Sequence, residues 1–213
     1  MIPIPTPRCR VFLLSPANAG GERARMTLSD RATFEVAVKL RNGGAPIGEV
    51  FSFISGLYFR GKAAYAQAFA APPAGLPGSL VITAGQGLVP ADHLLTIADL
   101  RQIATVPVEA NEPRFREPLE RDAAALAAAA GAECNVVLLG SIATPKYVDP
   151  LLAIFGERLL FPEEFIGRGD MSRGGLMLRC VAEGRELTYT PVMGARRRGK
   201  RPPKLPGLNR SSA

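Results

Sequence analysis

Tryptophan is absent from this 213-residue chain, histidine occurs once and cysteine three times. With His93 alone, a multi-histidine zinc or iron site cannot form within one chain. Cys9, Cys134 and Cys180 have no CxxC spacing and lie in or beside apolar runs, so they read as buried free thiols. Neither the dinucleotide fingerprint nor the P-loop spacing is present. No metal and no cofactor is therefore expected. No apolar run approaches the roughly 18–20 residues that a membrane span needs. The start, MIPIPTPRCRVFLL, is too short and too proline-rich for a signal peptide. The expectation is a cytoplasmic, non-membrane protein whose work is binding or non-redox chemistry.

What is present fits one α/β domain. Hydrophobic residues make up 47% of the chain and charged residues 21%, a globular profile. The net charge of +7 is concentrated at one end. Arg196, Arg197, Arg198, Lys200, Arg201, Lys204 and Arg210 account for all of it, and residues 196–213 contain no acid. Residues 1–195 therefore read as a neutral folded body and 196–213 as a basic, proline-rich, disordered tail. Such a tail is a solubilising extension or an attractor of phosphate. Nucleic acid is the leading specific partner, because clustered Lys and Arg displace condensed counterions.

Along the chain, RVFLL at 10–14 reads as a buried strand ending at Ser15-Pro16. Residues 22–40 carry helical spacing and stop at Asn42-Gly43-Gly44. EVFSFI at 49–54 reads as a strand or buried turn, and Tyr58, Lys62, Tyr65 and Phe69 recur at helical intervals. SLVITA at 79–84 is a strand closed by Gly85-Gln86-Gly87, with a helix near 96–104 to follow. The alanine-rich EPLERDAAALAAAAGAE is a helix ending at Gly131, and NVVLLGS is a central parallel strand. TPKYVDPLLAIFG reads as a helix that Pro150 threatens to shorten or kink. ERLLF, GGLMLRCV and ELTYTPV supply three more strands, the last two as a hairpin through AEGR. The sum is a three-layer α/β fold: a mostly parallel sheet flanked by helices, with a C-terminal β-hairpin.

Ligands of open α/β sheets gather at the carboxyl ends of the strands. Three small-residue loops fall there: Ser15 to Gly21 with Asn18, Gly85 to Gly87 with Gln86, and Gly140-Ser141 with Thr144. Tyr58, Arg60, Lys62 and Tyr65 form a second group, in which an aromatic stacks on a base while a cation holds a phosphate. The alternative puts Tyr65 and Phe69 in the core and Arg60 and Lys62 on a solvated face. His93 beside Asp92 reads as a surface or capping residue. The third group is Arg168, Asp170, Ser172 and Arg173 among Gly167, Gly169, Gly174 and Gly175. There Asp170 pairs with one arginine and leaves the other guanidinium to face the pocket.

The segment FLLSPAN resembles the "ISPAK" opening of the bacterial peroxide-stress protein family. SGLYFRGKAAYAQAF, VITAGQGLVPADHLLTIADL and VVLLGSIATPKYVDPLL, the last with Lys146-Tyr147, resemble in order the segments of related uncharacterised bacterial domains. The resemblance implies a uracil-DNA glycosylase-like fold and a role in DNA binding and protection from oxidative damage. Gly85-Gln86-Gly87 is similar to the start of the glycosylase water-activating motif, yet the acid and tyrosine that should follow are Gly87 and Leu88. A His-Pro-Ser motif is also missing, which argues against glycosylase activity of the usual kind. The leading expectation is a nucleic-acid-binding α/β domain. The alternatives are an enzyme acting on an N-glycosidic bond or a nucleotide, with Asn18, Gln86 and Asp170 as carriers, and a protein docking an acidic partner.

Overall fold

The computed structural model describes residues 9–205; Arg210 and the rest of 206–213 lie outside the described residues. The chain begins with β1 (Arg10–Leu14), whose five residues are all buried. Next come α1 (Glu22–Thr27), α2 (Glu35–Arg41), β2 (Ala45–Pro46), α3 (Ile47–Ser55) and α4 (Leu57–Phe69). A hairpin of β3 (Ser79–Thr83) and β4 (Gly87–Pro90) leads through β5 (Leu94–Leu95) to α5 (Ile97–Ala104) and α6 (Pro113–Ala130). The remaining elements are β6 (Asn135–Leu139), α7 (Pro145–Phe155), β7 (Leu159–Pro162), α8 (Asp170–Glu183) and β8 (Tyr189–Pro191), with short 3-10 turns at Gly156–Arg158 and Glu163–Phe165 on either side of β7.

Six strands form the main sheet in the order β4-β3-β1-β6-β7-β8. The inner four, β3, β1, β6 and β7, are parallel, and β4 and β8 close the edges antiparallel. Helices α3, α4 and α8 pack together, with α4 on β1 and β3. Helices α6 and α7 pack against each other, with α6 on β3 and β4 and α7 on β7. The rule that parallel crossovers are right-handed puts these two groups on opposite faces. From β1 the chain winds to β3 on one side, then returns past β1 to β6 on the other. The carboxyl ends of β1 and β6 therefore border the crevice where the winding reverses.

Several local expectations are corrected. GGLMLRCV is helix, so the C-terminal β-hairpin does not form; β8 instead pairs with β7 across α8. Asp170, Gly174, Met177 and Val181 follow helical spacing, and Gly184 at φ 61° ends the helix in the left-handed conformation. EVFSFI lies in α3, where Ile47, Val50, Phe51 and Ile54 make one buried face. The single helix expected over 22–40 is two helices separated at residues 28–34. Pro150 does not end α7, which continues to Phe155 with the proline buried.

The cysteines also differ from expectation. Cys9 and Cys134 form a disulfide with Cα atoms 4.7 Å apart, and only Cys180 is free and buried. The register explains it: Arg10 lies opposite Asn135, so the residues just before them are neighbours at the start of two adjacent parallel strands. Register is invisible in a single sequence, and so is this pairing.

Residues 196–205 form no helix or strand, as a proline-rich basic segment should. They nonetheless lie against the body. Leu205 packs on the core, and a Cβ built on Gly167 would meet the Lys200 carbonyl oxygen. Arg197 Nη1 reaches Asp149 Oδ1 at 3.1 Å.

Candidate functional site

A cleft of about 710 Å³ opens at the carboxyl ends of β1, β3 and β6. One wall is Ser15 to Gly20, where the chain leaves β1. Asn18 is exposed there, and its Oδ1 accepts from the Gly20 backbone N–H at 3.2 Å, leaving its amide NH₂ able to donate. Ala84, just after β3, adds to the floor. Ser141, Thr144, Lys146 and Tyr147 come from the loop after β6 and the first turn of α7. That helix end directs its positive pole towards the cleft. Tyr58 on α4 and Asp170 at the start of α8 complete the opposite side.

The floor is tightly built. A Cβ on Gly140 would approach Ser15 Cβ to 2.8 Å, Ser15 Oγ to 3.1 Å and Tyr147 Oη to 3.2 Å. Tyr147 donates its hydroxyl to the Ser141 carbonyl at 3.1 Å. Burial raises its pKa. The Tyr58 hydroxyl is buried, with the Arg173 guanidinium nearby, and its pKa too is pushed up, chiefly by burial.

Directly beneath the floor sits Lys62, 1% exposed. Its Nζ lies 2.5 Å from the Ser15 carbonyl oxygen and 3.0 Å from Ser15 Oγ. The Tyr58 and Phe59 rings flank it, each centroid 4.5 Å from Nζ. Burial brings its pKa down to about 7, with Asp170 opposing and Arg173 adding to the shift. Lys62 is therefore not on a solvated face, whereas Arg60 is exposed, Tyr65 is core and Phe69 packs partly buried against it.

The expected site residues thus divide. Ser15, Asn18, Tyr58, Ser141, Lys146 and Asp170 share the cleft, with Lys62 touching it through Ser15. Gln86 is in the turn between β3 and β4 and does not line it. Neither arginine of the third group lines the cleft. Arg168 donates to the Glu164 carbonyl and to Ser172 Oγ, and Arg173 to the Phe165 carbonyl and Asp170. Asp170 is the member that faces the cavity. His93 is exposed.

Sequence reasoning missed the wall formed by Thr105 to Glu109, which follows α5. Pro107 marks that connector, but nothing local says that it returns to the sheet's carboxyl end. Among the described residues, no cluster of His, Cys, Asp and Glu could hold a metal ion, and no helix is long and apolar enough to cross a membrane. No family model, no curated protein and no solved structure matches this chain.

Proposed function

We propose that the protein binds nucleic acid, taking one unpaired nucleotide into the cleft while the basic segment follows the adjoining phosphates. The observation that carries this reading is the tie between the basic segment and α7, the helix whose first turn lines the cleft. Arg197 is anchored on Asp149, one turn along α7 from the cleft residue Lys146. Arg196, Arg198, Lys200, Arg201 and Lys204 remain exposed. Exposed cations thus flank a residue tied to the helix whose first turn lines a cavity large enough for a nucleotide, so backbone attraction and base recognition would act on neighbouring units.

The cavity's chemistry supports the same reading. Val106, Pro107 and Val108 give apolar surface for a base, and Asn18, Ser141 and Lys146 give donors for its edge, sugar or phosphate. A base stacked in a duplex cannot reach such a recess without being extruded, so single strands and unpaired positions are the expected ligands. A part in nucleic-acid protection belongs to this proposal.

Titration of a fluorescein-labelled single-stranded oligonucleotide tests it. Lys146→Ala removes a charge-assisted contact and is expected to weaken binding about tenfold, the factor that corresponds to about 1.4 kcal/mol. Absence of binding by the full chain at low salt would reject the reading.

A further inference from the structure

Arg10 and Lys62 are the two buried cationic side chains among the described residues. Arg10 has its counter-ion, Glu186, at 2.5 Å. Lys62 has no carboxylate within ion-pair distance among the described residues; its hydrogen bonds go to Ser15 alone. An ammonium buried without a counter-charge is costly, and such a lysine reduces the cost by giving up its proton. A neutral amine can donate one N–H to the Ser15 carbonyl and accept the Ser15 hydroxyl proton at the same time. The second contact, at 3.0 Å, lies within the distance required between a nucleophile and its base. Ser15 also lines the cleft, itself 6% exposed, and so stands between the cavity and the covered Lys62.

We infer that Ser15 is a nucleophile, that Lys62 is its general base, and that the cleft supports acyl transfer from an ester through an acyl-Ser15 intermediate. Ser15 Oγ bonds to the ester carbonyl carbon as its proton passes to Lys62 Nζ. The carbon's bond to the alkoxy oxygen breaks, and that oxygen leaves as an alcohol with the proton from Lys62. Water gives a proton to the same amine as its oxygen bonds to the acyl carbon; the carbon's bond to Ser15 Oγ then breaks, Oγ takes the proton back from Lys62, and the acid is released. The Asn18 amide NH₂ is a donor on the same wall for the negative oxygen of the intermediate. A serine with a lysine base is a known variant of the serine-histidine arrangement and needs no metal.

The groups facing Lys62 act in both directions: burial and Arg173 favour the neutral amine, while Asp170 and the two ring faces favour the ammonium, and burial is the largest influence. Tyr58 and Phe59 press on it from its own helix, Asp170 and Arg173 act on it from α8, and Tyr147 of α7 lies near Ser15. Its pKa of about 7 leaves roughly half of the amine unprotonated at neutral pH.

The full chain is exposed to a fluorophosphonate probe, which phosphonylates activated serines, and the adduct is located by peptide mass spectrometry. The expected result is an adduct on Ser15 whose formation rate rises with pH through a midpoint near 7 and then levels. Lys62→Met, close in volume but without the amine, is expected to slow labelling at pH 8 by about 100-fold or more. If that variant does not fold, the pH profile of the unaltered protein decides. No adduct on Ser15, or one whose rate shows no midpoint and ignores Lys62→Met, overturns the inference. Oligonucleotide binding is measured on the same preparation. An adduct without binding supports the nucleophile and fails only the nucleic-acid reading; binding without an adduct fails only the nucleophile.

Discussion

Lys62 occupies a place where a charge is hard to keep, and that should show in stability as well as in chemistry. Its pKa is about 7 in the folded chain, against 10.5 for the free side chain. Between these values the unfolded state holds the proton and the folded state does not. Stability therefore rises with pH across that window, and the full cost is felt below about 7. Urea unfolding at pH 6.5 and pH 9 should give a higher midpoint at pH 9, and Lys62→Met should remove most of the difference. An equal pH response in that variant would mean that Lys62 is not the titrating group. Gly140 makes a second case at this scale, because Ser15 and Tyr147 leave no room for a Cβ there. Gly140→Ala should push Ser15 aside and destabilise by about 1–3 kcal/mol. Urea denaturation would measure that loss, and fluorophosphonate labelling would report the displaced hydroxyl.

The helix pair that carries Tyr58, Lys62 and Asp170 is set by two other glycines. A Cβ on Gly61 of α4 would fall 2.7 Å from the Gly174 carbonyl oxygen, and one on Gly174 of α8 would fall 2.6 Å from the Leu57 carbonyl oxygen. The two backbones touch, and this contact brings Asp170 to the cleft. Gly174→Ala should cost about 1–3 kcal/mol. Gly175→Ala has only the Leu205 Cδ1 within reach, at 3.8 Å, so it should be neutral or stabilising by up to about 1 kcal/mol. Equal effects of the two substitutions in urea denaturation would refute the close contact. This pair also shows what a sequence reveals and what it hides. The strands β1, β3 and β6 are legible because buried parallel strands are continuous apolar runs. The glycines of 167–175 read as a loop, because a glycine needed for helix contact looks the same as one needed for a turn. Helix α3 is short and rich in β-branched and aromatic residues, and α8 carries paired glycines before an apolar run, so local preference pointed to strand while tertiary packing made helix. Ser15 and Lys62 are each visible as candidates, but their contact spans 47 positions and depends on how α4 lies on β1.

For the whole molecule, two long-range ties matter: the disulfide and the docked basic segment. Cys9 and Cys134 lie 125 residues apart in sequence and fasten the starts of β1 and β6, the strands whose far ends make the floor of the cleft. Reduction should lower stability by about 2–4 kcal/mol, seen as a drop in Tm with reductant, while Cys180 stays buried and unreactive in the folded state. An unchanged Tm would show that the tie contributes little. The basic segment gives the molecule its surplus charge and is the basis of the proposed partner. The most direct test is the salt dependence of single-stranded oligonucleotide binding by the full chain, with and without alanine at Arg196, Arg198, Lys200, Arg201 and Lys204. If these five exposed cations each neutralise a phosphate, the slope of log affinity against log salt should become shallower by about 3 to 4 in the substituted chain. An identical slope and affinity in the two proteins would contradict the account.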